Sequence, residues 1–273
     1  MTHPDQFLID SVRHRYLNQE NKFVTDGPPL DAPYLPKEYL DKMYALSDKY
    51  RPIRWLPLDI PRIELGDIDE FKSIWNQQCH DVVRVKPDAA EPWDKEKHPL
   101  GKASSWNKSQ FNGLHLYHHP EIPIETNTFM AKMYTGKVPL FERLVEQAFE
   151  YFPIHTVTAV FIWESRVAIP PHRDRGAYWK CPTDWRVMLH DENDEPTLYV
   201  SDIEHGDINY IDLPKDTNSF CWSNGTQIHG SVYKGKRKFL LVVSGYQHSG
   251  KTDELLSRSI EKYRDQLNYK LDI

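Results

Sequence analysis

The stretch IPPHRDRGAYW, Ile169 to Trp179, places a histidine and an aspartate two positions apart, His172 and Asp174. In extended backbone such residues project to the same side, so an imidazole and a carboxylate can be aimed at one point. The same spacing recurs at His3/Asp5 and His205/Asp207. The first of these lies at the N-terminal end, where chains fray. The other lies in the glycine-containing stretch IEHGDINY and reads as a solvated hairpin turn. The middle pair follows a strand directly, and Pro170–Pro171 hold the chain extended as it leaves that strand.

A metal gripped from one side needs a third protein ligand. Two histidines and one carboxylate suit Fe(II) and leave positions open for substrate and O2. His229, in SNGTQIHGSVY, stands 55 residues after Asp174, room for four or five strands to return the chain beside the first pair. His205 is only 24 residues before His229, too close to make that crossing. Eight residues beyond His229 comes Arg237, at the head of a strongly apolar run. A cation directed into a β core is costly unless an anion meets it, and arginine can hold a carboxylate with two parallel hydrogen bonds. Lys238 is the neighbour on the opposite face, and a pleat shifted by one residue gives the anion to it instead. Taken singly, His229 reads as a structural histidine and Arg237 as an edge residue facing water; only their combination points to a metal site with an anion partner.

The elements that must position these residues are legible in outline. Apolar spacing and a first-turn proline predict helices over Pro36–Tyr50 and Pro139–Phe152. After residue 154, runs rich in β-branched and aromatic residues predict strands at 156–169, 185–189, 196–201, 207–213, 218–222, 227–233 and 237–246. Turn signals such as HDENDEP, PKDT and SNGT separate them. Seven short strands at close spacing suggest a sandwich or barrel of jelly-roll type. A last helix is expected at about 253–267. The chain reads as one domain, 1–273, mainly β with flanking helices. A mixed α/β part (1–153) packs on the core (154–250), and a C-terminal helix (251–273) follows.

With 273 residues, 39% of them apolar, the chain can bury a substantial core without staples. A net charge of −6 makes nucleic-acid binding through phosphate neutralisation a poor expectation. Three scattered cysteines, Cys79, Cys181 and Cys221, form no CxxC and argue against a disulfide framework or a thiolate zinc site. No apolar run suits a signal peptide or a membrane span, so a reducing, cytoplasmic setting is expected.

On these residues the chain resembles the Fe(II)- and 2-oxoglutarate-dependent oxygenases. The pattern there is H-x-D, a long interval, H, then Arg or Lys; here it is His172-Arg173-Asp174, His229 and Arg237, with GKRKFLLVV like that family's Gly-x-Arg strand. Within the family it looks most like the aspartyl/asparaginyl β-hydroxylase-like branch, whose R-x-x-L setting is matched by Arg186 in WRVML. The likeness covers about 165–246.

The resemblance implies a double-stranded β-helix, a distorted, cupin-like jelly roll. It implies Fe(II) on His172, Asp174 and His229, with 2-oxoglutarate and O2 as co-substrates. Arg237, or Lys238, would pair with the far carboxylate of 2-oxoglutarate and Arg186 would steady the near one. The implied reaction hydroxylates an unactivated C–H bond and releases succinate and CO2. Because Asp174 is present, hydroxylation is favoured over halogenation.

Arg173, Arg175, Tyr178, Trp179 and Lys180 crowd the loop after the first ligands, and suggest a small anionic substrate such as an amino acid or other carboxylate. The plain alternative is a solvated loop. His115, His118 and His119, in GLHLYHHPE, read as part of a polar loop rather than a second metal site. Three rivals remain: an Fe(II) oxidase that needs no 2-oxoglutarate, a metal-free β-sandwich binding a sugar or peptide through its aromatics, and, more weakly, a zinc hydrolase.

Overall fold

Alternation along one long strand sets the architecture. In the computed structural model, which describes residues 37–78, 111–118, 131–133, 137–165, 169–172, 184–201, 208–222, 227–232 and 234–273, that strand is β11 (Lys238–Gln247). Its Phe239, Leu241 and Val243 join the larger core, together with residues of four helices: α1 (Lys37–Lys49), α2 (Ile68–Gln78), α3 (Pro139–Tyr151) and α4 (Ser249–Tyr263). Its Leu240 packs into a second core on the other face. Each fully buried side chain of this size contributes about 1.5–3 kcal/mol, so the pleat phase of β11 is firmly fixed.

β11 lies near the middle of a seven-stranded sheet. The order is β1 (Leu56–Pro57), β9 (Ser219–Trp222), β6 (Asp184–Asp191), β11, β4 (Ile154–Ser165), β2 (Phe111–His118) and β3 (Ala131–Met133). A four-stranded sheet runs β5 (Ile169–His172), β10 (Ile228–Ser231), β7 (Leu198–Ser201) and β8 (Ile208–Tyr210). Pairing is antiparallel except between β2 and β3. Leu198 and Val200 of the small sheet meet Phe220 and Trp222 of the large one, with Met188, Leu240 and Trp55 around them. The helices therefore cover one face of the large sheet and the small sheet packs on the other.

The protein is thus mainly β with antiparallel sheets and flanking helices, as the sequence suggests. α3 starts at the expected proline and buries Leu140, Phe141, Leu144 and Ala148. The last helix begins earlier than expected, at Ser249, where the His248 side chain accepts from the Lys251 N–H at 3.4 Å. α2 and β2 lie outside the helices and strands that the sequence predicts. No helix among the described residues is long and apolar enough to cross a membrane.

Candidate functional site

β5 is an edge strand carrying Pro170 and Pro171, residues that cannot donate to a ladder and are tolerated at an edge. Its register against β10 pairs Ile169 with Ser231 and His172 with His229. Three steps along β5 thus match two along β10, and the prolines absorb the extra residue as a bulge. Two histidines 57 positions apart in sequence become direct register partners.

Gly230 makes this pairing possible. A Cβ there would meet the Tyr199 hydroxyl oxygen at 2.3 Å and the Ile169 carbonyl oxygen at 2.6 Å, so only glycine lets β5 and Tyr199 close on β10. The Tyr199 hydroxyl donates to that same carbonyl at 3.4 Å.

His229 is buried, and its Nδ1 lies 3.0 Å from the Gln227 carbonyl oxygen. A carbonyl only accepts, so Nδ1 carries the hydrogen in the neutral ring and Nε2 holds the lone pair. The Trp222 ring lies 5.2 Å from the His229 ring, and the buried Arg186 guanidinium carbon sits 3.8 Å from the Trp222 ring centroid. The indole Nε1 of Trp222 is buried without a hydrogen-bond partner among the described residues. The structure therefore brings Arg186, Trp222 and His229 together, with position 172 directly across from His229. Asp174, Arg173, Arg175, Tyr178, Trp179, Lys180, His119 and His205 lie outside the described residues. Among the described residues no group of three or more His, Cys, Asp or Glu is placed to hold a metal.

Arg237 and Lys238 go to opposite sides. Arg237 donates to Glu192 at 3.0 Å, to Glu164 at 3.3 Å and to Asn76 at 3.2 Å. Glu164 is fully buried and also accepts from the Trp75 indole at 3.1 Å, while Lys72 pairs with Glu192 at 2.9 Å. Burial pushes the Glu192 carboxyl up, but its bonds to Lys72 and Arg237 outweigh that and hold it at about 2. Arg237 is thus an anchor between β11 and α2, engaged by the protein's own carboxylates. It is not among the residues gathered around His229.

Lys238 shares its face of β11 with Leu240 and is 3% exposed. Its ammonium donates to the Thr197 hydroxyl at 3.0 Å, which donates in turn to Asp191 at 3.0 Å. An ammonium has three donors, and a single hydroxyl is the partner found among the described residues. Burial depresses Lys238 to about 7, against a smaller upward pull from Asp191. Thr197 precedes β7 and lies three residues from Val200, the register partner of His229. That spacing is roughly 10 Å along a strand.

His115 and His118 are on a strand, not in the polar loop expected. A bulge in β2 sets His115 opposite Phe161 and His118 opposite Ala159, so both lie on one face although three positions apart. Across the sheet, His115, Phe161, Val242, Arg186 and Phe220 are successive register partners. Burial, reinforced by His118, lowers His115 to about 4.

No known family pattern matches the chain, and no curated protein matches it. Among solved structures, EvdMO1 is similar over 75% of this chain at 15% identity, with a TM-score of 0.35, a likeness too distant to argue from. The chain spans about half that protein's length, 50%.

Proposed function

We propose that the chain is an Fe(II)- and 2-oxoglutarate-dependent dioxygenase, with the two packed sheets forming a double-stranded β-helix core. It would hydroxylate a C–H bond of a small substrate, an amino acid or other carboxylate. The observation that carries this is the register of His172 on His229, with Trp222 against the second histidine and Arg186 on Trp222. Antiparallel register partners share one sheet face, and Asp174 follows His172 by two positions.

Of the proposed ligands, His229 has a described side chain, and its chemistry suits a ferrous ion. The Gln227 carbonyl orients His229 with its lone pair on Nε2, as a ligating histidine requires. The unpartnered Trp222 N–H is a buried donor of the kind kept for a ligand, since an unmade hydrogen bond costs about 1–3 kcal/mol. His172, Asp174 and His229 would hold the iron. When bound together with 2-oxoglutarate and O2, the iron would supply oxidising power for C–H hydroxylation, with release of succinate and CO2.

The chain's own part is positioning and exclusion of water. Lys238, rather than Arg237, is assigned the far carboxylate of 2-oxoglutarate, because its ammonium faces the sandwich and has donors to spare. Arg186 would steady the carboxylate nearer the metal, its guanidinium packed on Trp222. Arg173, Arg175, Tyr178 and Trp179, next to the H-x-D in sequence, remain the candidate substrate rim.

The test is thermal melting with Mn(II), with and without 2-oxoglutarate, followed by succinate release with Fe(II) over amino acids and small acids. Ligands selective for the native state must raise the melting temperature. A melting temperature indifferent to metal and 2-oxoglutarate, with no succinate formed, would refute the assignment. A metal-free binding module predicts instead that His172→Ala leaves metal content unchanged.

A further inference from the structure

We propose that His115 is a substrate-recognition residue whose imidazole hydrogen-bonds an uncharged amide or hydroxyl group of the substrate. This rests on the oxygenase reading above and adds the chemistry of one substrate group to it.

Three observations converge. First, His115 is 2% exposed, and neither Nδ1 nor Nε2 has a partner among the described residues. A buried imidazole left unmatched lowers stability, so a fold that keeps one has a use for it. Second, the bulge in β2 turns it onto the face of the large sheet that carries Arg186, in the same transverse row. Bulges recur beside active sites, where they re-aim a side chain. Third, its ring neighbours are Phe161 at 5.2 Å and His118 at 6.3 Å. Phe161 offers an apolar surface beside the polar point, so a substrate with adjoining apolar and polar parts is matched.

The surroundings choose the class of group. A neutral imidazole presents one donor and one acceptor, which suits an amide or a hydroxyl. Burial keeps His115 neutral, as its lowered pKa indicates, and the same desolvation opposes a bare carboxylate or ammonium with no counter-charge. Three strand spacings, roughly 14 Å, separate β2 from β6 in the row, so this point is removed from Arg186. A substrate touching His115 reaches it with a part distant from the group steadied near the metal.

The experiment uses the full chain with Zn(II) and 2-oxoglutarate under argon. The His115 imidazole Cε1–H resonance is assigned as the signal lost in His115→Phe. Acetamide, acetate and methylammonium are then titrated separately. Acetamide is expected to shift that resonance saturably, and acetate and methylammonium are not. His115→Phe is expected to melt about 2–4 °C higher, because an unmatched polar ring is replaced by an apolar one of similar shape. A resonance unmoved by acetamide, or one moved by acetate instead, overturns the proposal. So does a fall in the melting temperature of His115→Phe, which would mark a structural polar role. A wild-type melting temperature unmoved by metal and 2-oxoglutarate refutes the oxygenase reading itself, through a readout separate from the acetamide titration.

Discussion

Replacing Lys238 with methionine tests the site at its most exacting point, because two opposite effects are expected from one change. In the free protein the lysine is buried and held at about 7, against an ordinary value of 10.5. Between those values the unfolded chain binds more protons than the folded one, so wild-type stability rises with pH through that window. Each pH unit is worth ~1.4 kcal/mol, which places the penalty for keeping this lysine at pH 7 on the order of 4 kcal/mol as an upper limit. Lys238→Met keeps the apolar stem and leaves the Thr197–Asp191 hydrogen bond in place. It should therefore melt higher than wild type at pH 7 and lose the rise in stability between about 7 and 10.5. Its affinity for 2-oxoglutarate should fall, because a charge-assisted bond to a buried carboxylate is worth about 1.5–3 kcal/mol, or roughly 10- to 150-fold. In wild type, a carboxylate binds the ammonium form, so affinity should be greatest below about 7 and fall with rising pH above it. Thermal melting of the metal-free protein between pH 6 and 10 measures the stability slope, and calorimetric titration of 2-oxoglutarate into the Mn(II)-loaded protein between pH 6 and 9 measures the affinity slope. Unchanged affinity in Lys238→Met, with lost affinity in Arg237→Met, would refute the choice of Lys238 and the pleat argument behind it.

Arg237→Met should instead cost stability, about 3 kcal/mol, by breaking the pair with fully buried Glu164, while 2-oxoglutarate binding in the surviving folded protein stays near wild type; urea unfolding and calorimetry separate the two. Gly230→Ala should force β5 or Tyr199 away from β10, destabilise by about 1–3 kcal/mol and weaken Mn(II) binding, whereas a variant that binds Mn(II) normally would show that the His172–His229 register is not needed for metal. Asp174→Ala should strongly lower iron content measured on the purified protein, and iron retained at the wild-type level would remove the carboxylate from the proposed ligand set.

What could be read from the chain, and what could not, follows from how far each determinant lies along it. The strands after residue 154 are visible because their β-branched and aromatic runs are bounded by local turn chemistry, and the pairing of His172 with His229 agrees with the strand count between them. The choice between Arg237 and Lys238 was not visible, since both are cations at the head of one strand and differ only in the face they take. That face is set by Phe239, whose ring meets Phe71 at 5.0 Å and Trp75 at 5.6 Å on α2. α2 is short, and its local marks were slight: Phe71 and Trp75 four apart, and Asp67, whose carboxylate accepts the Glu70 N–H at 2.8 Å. Once α2 is in place, Phe239 belongs to the helix-covered face, Arg237 finds Glu164 and Glu192 on that side, and Lys238 must turn inward. The same logic hid β2. Regular alternation puts His115 and His118 on opposite faces, and a bulge, which leaves no fixed residue signature, puts them on one. In both places the inward polar side chains are those left over after the apolar residues have found their partners. The inward cation is therefore decided by an aromatic contact on the far side of the sheet, which is why a change at Trp75 or Phe71 should disturb 2-oxoglutarate binding without touching the site.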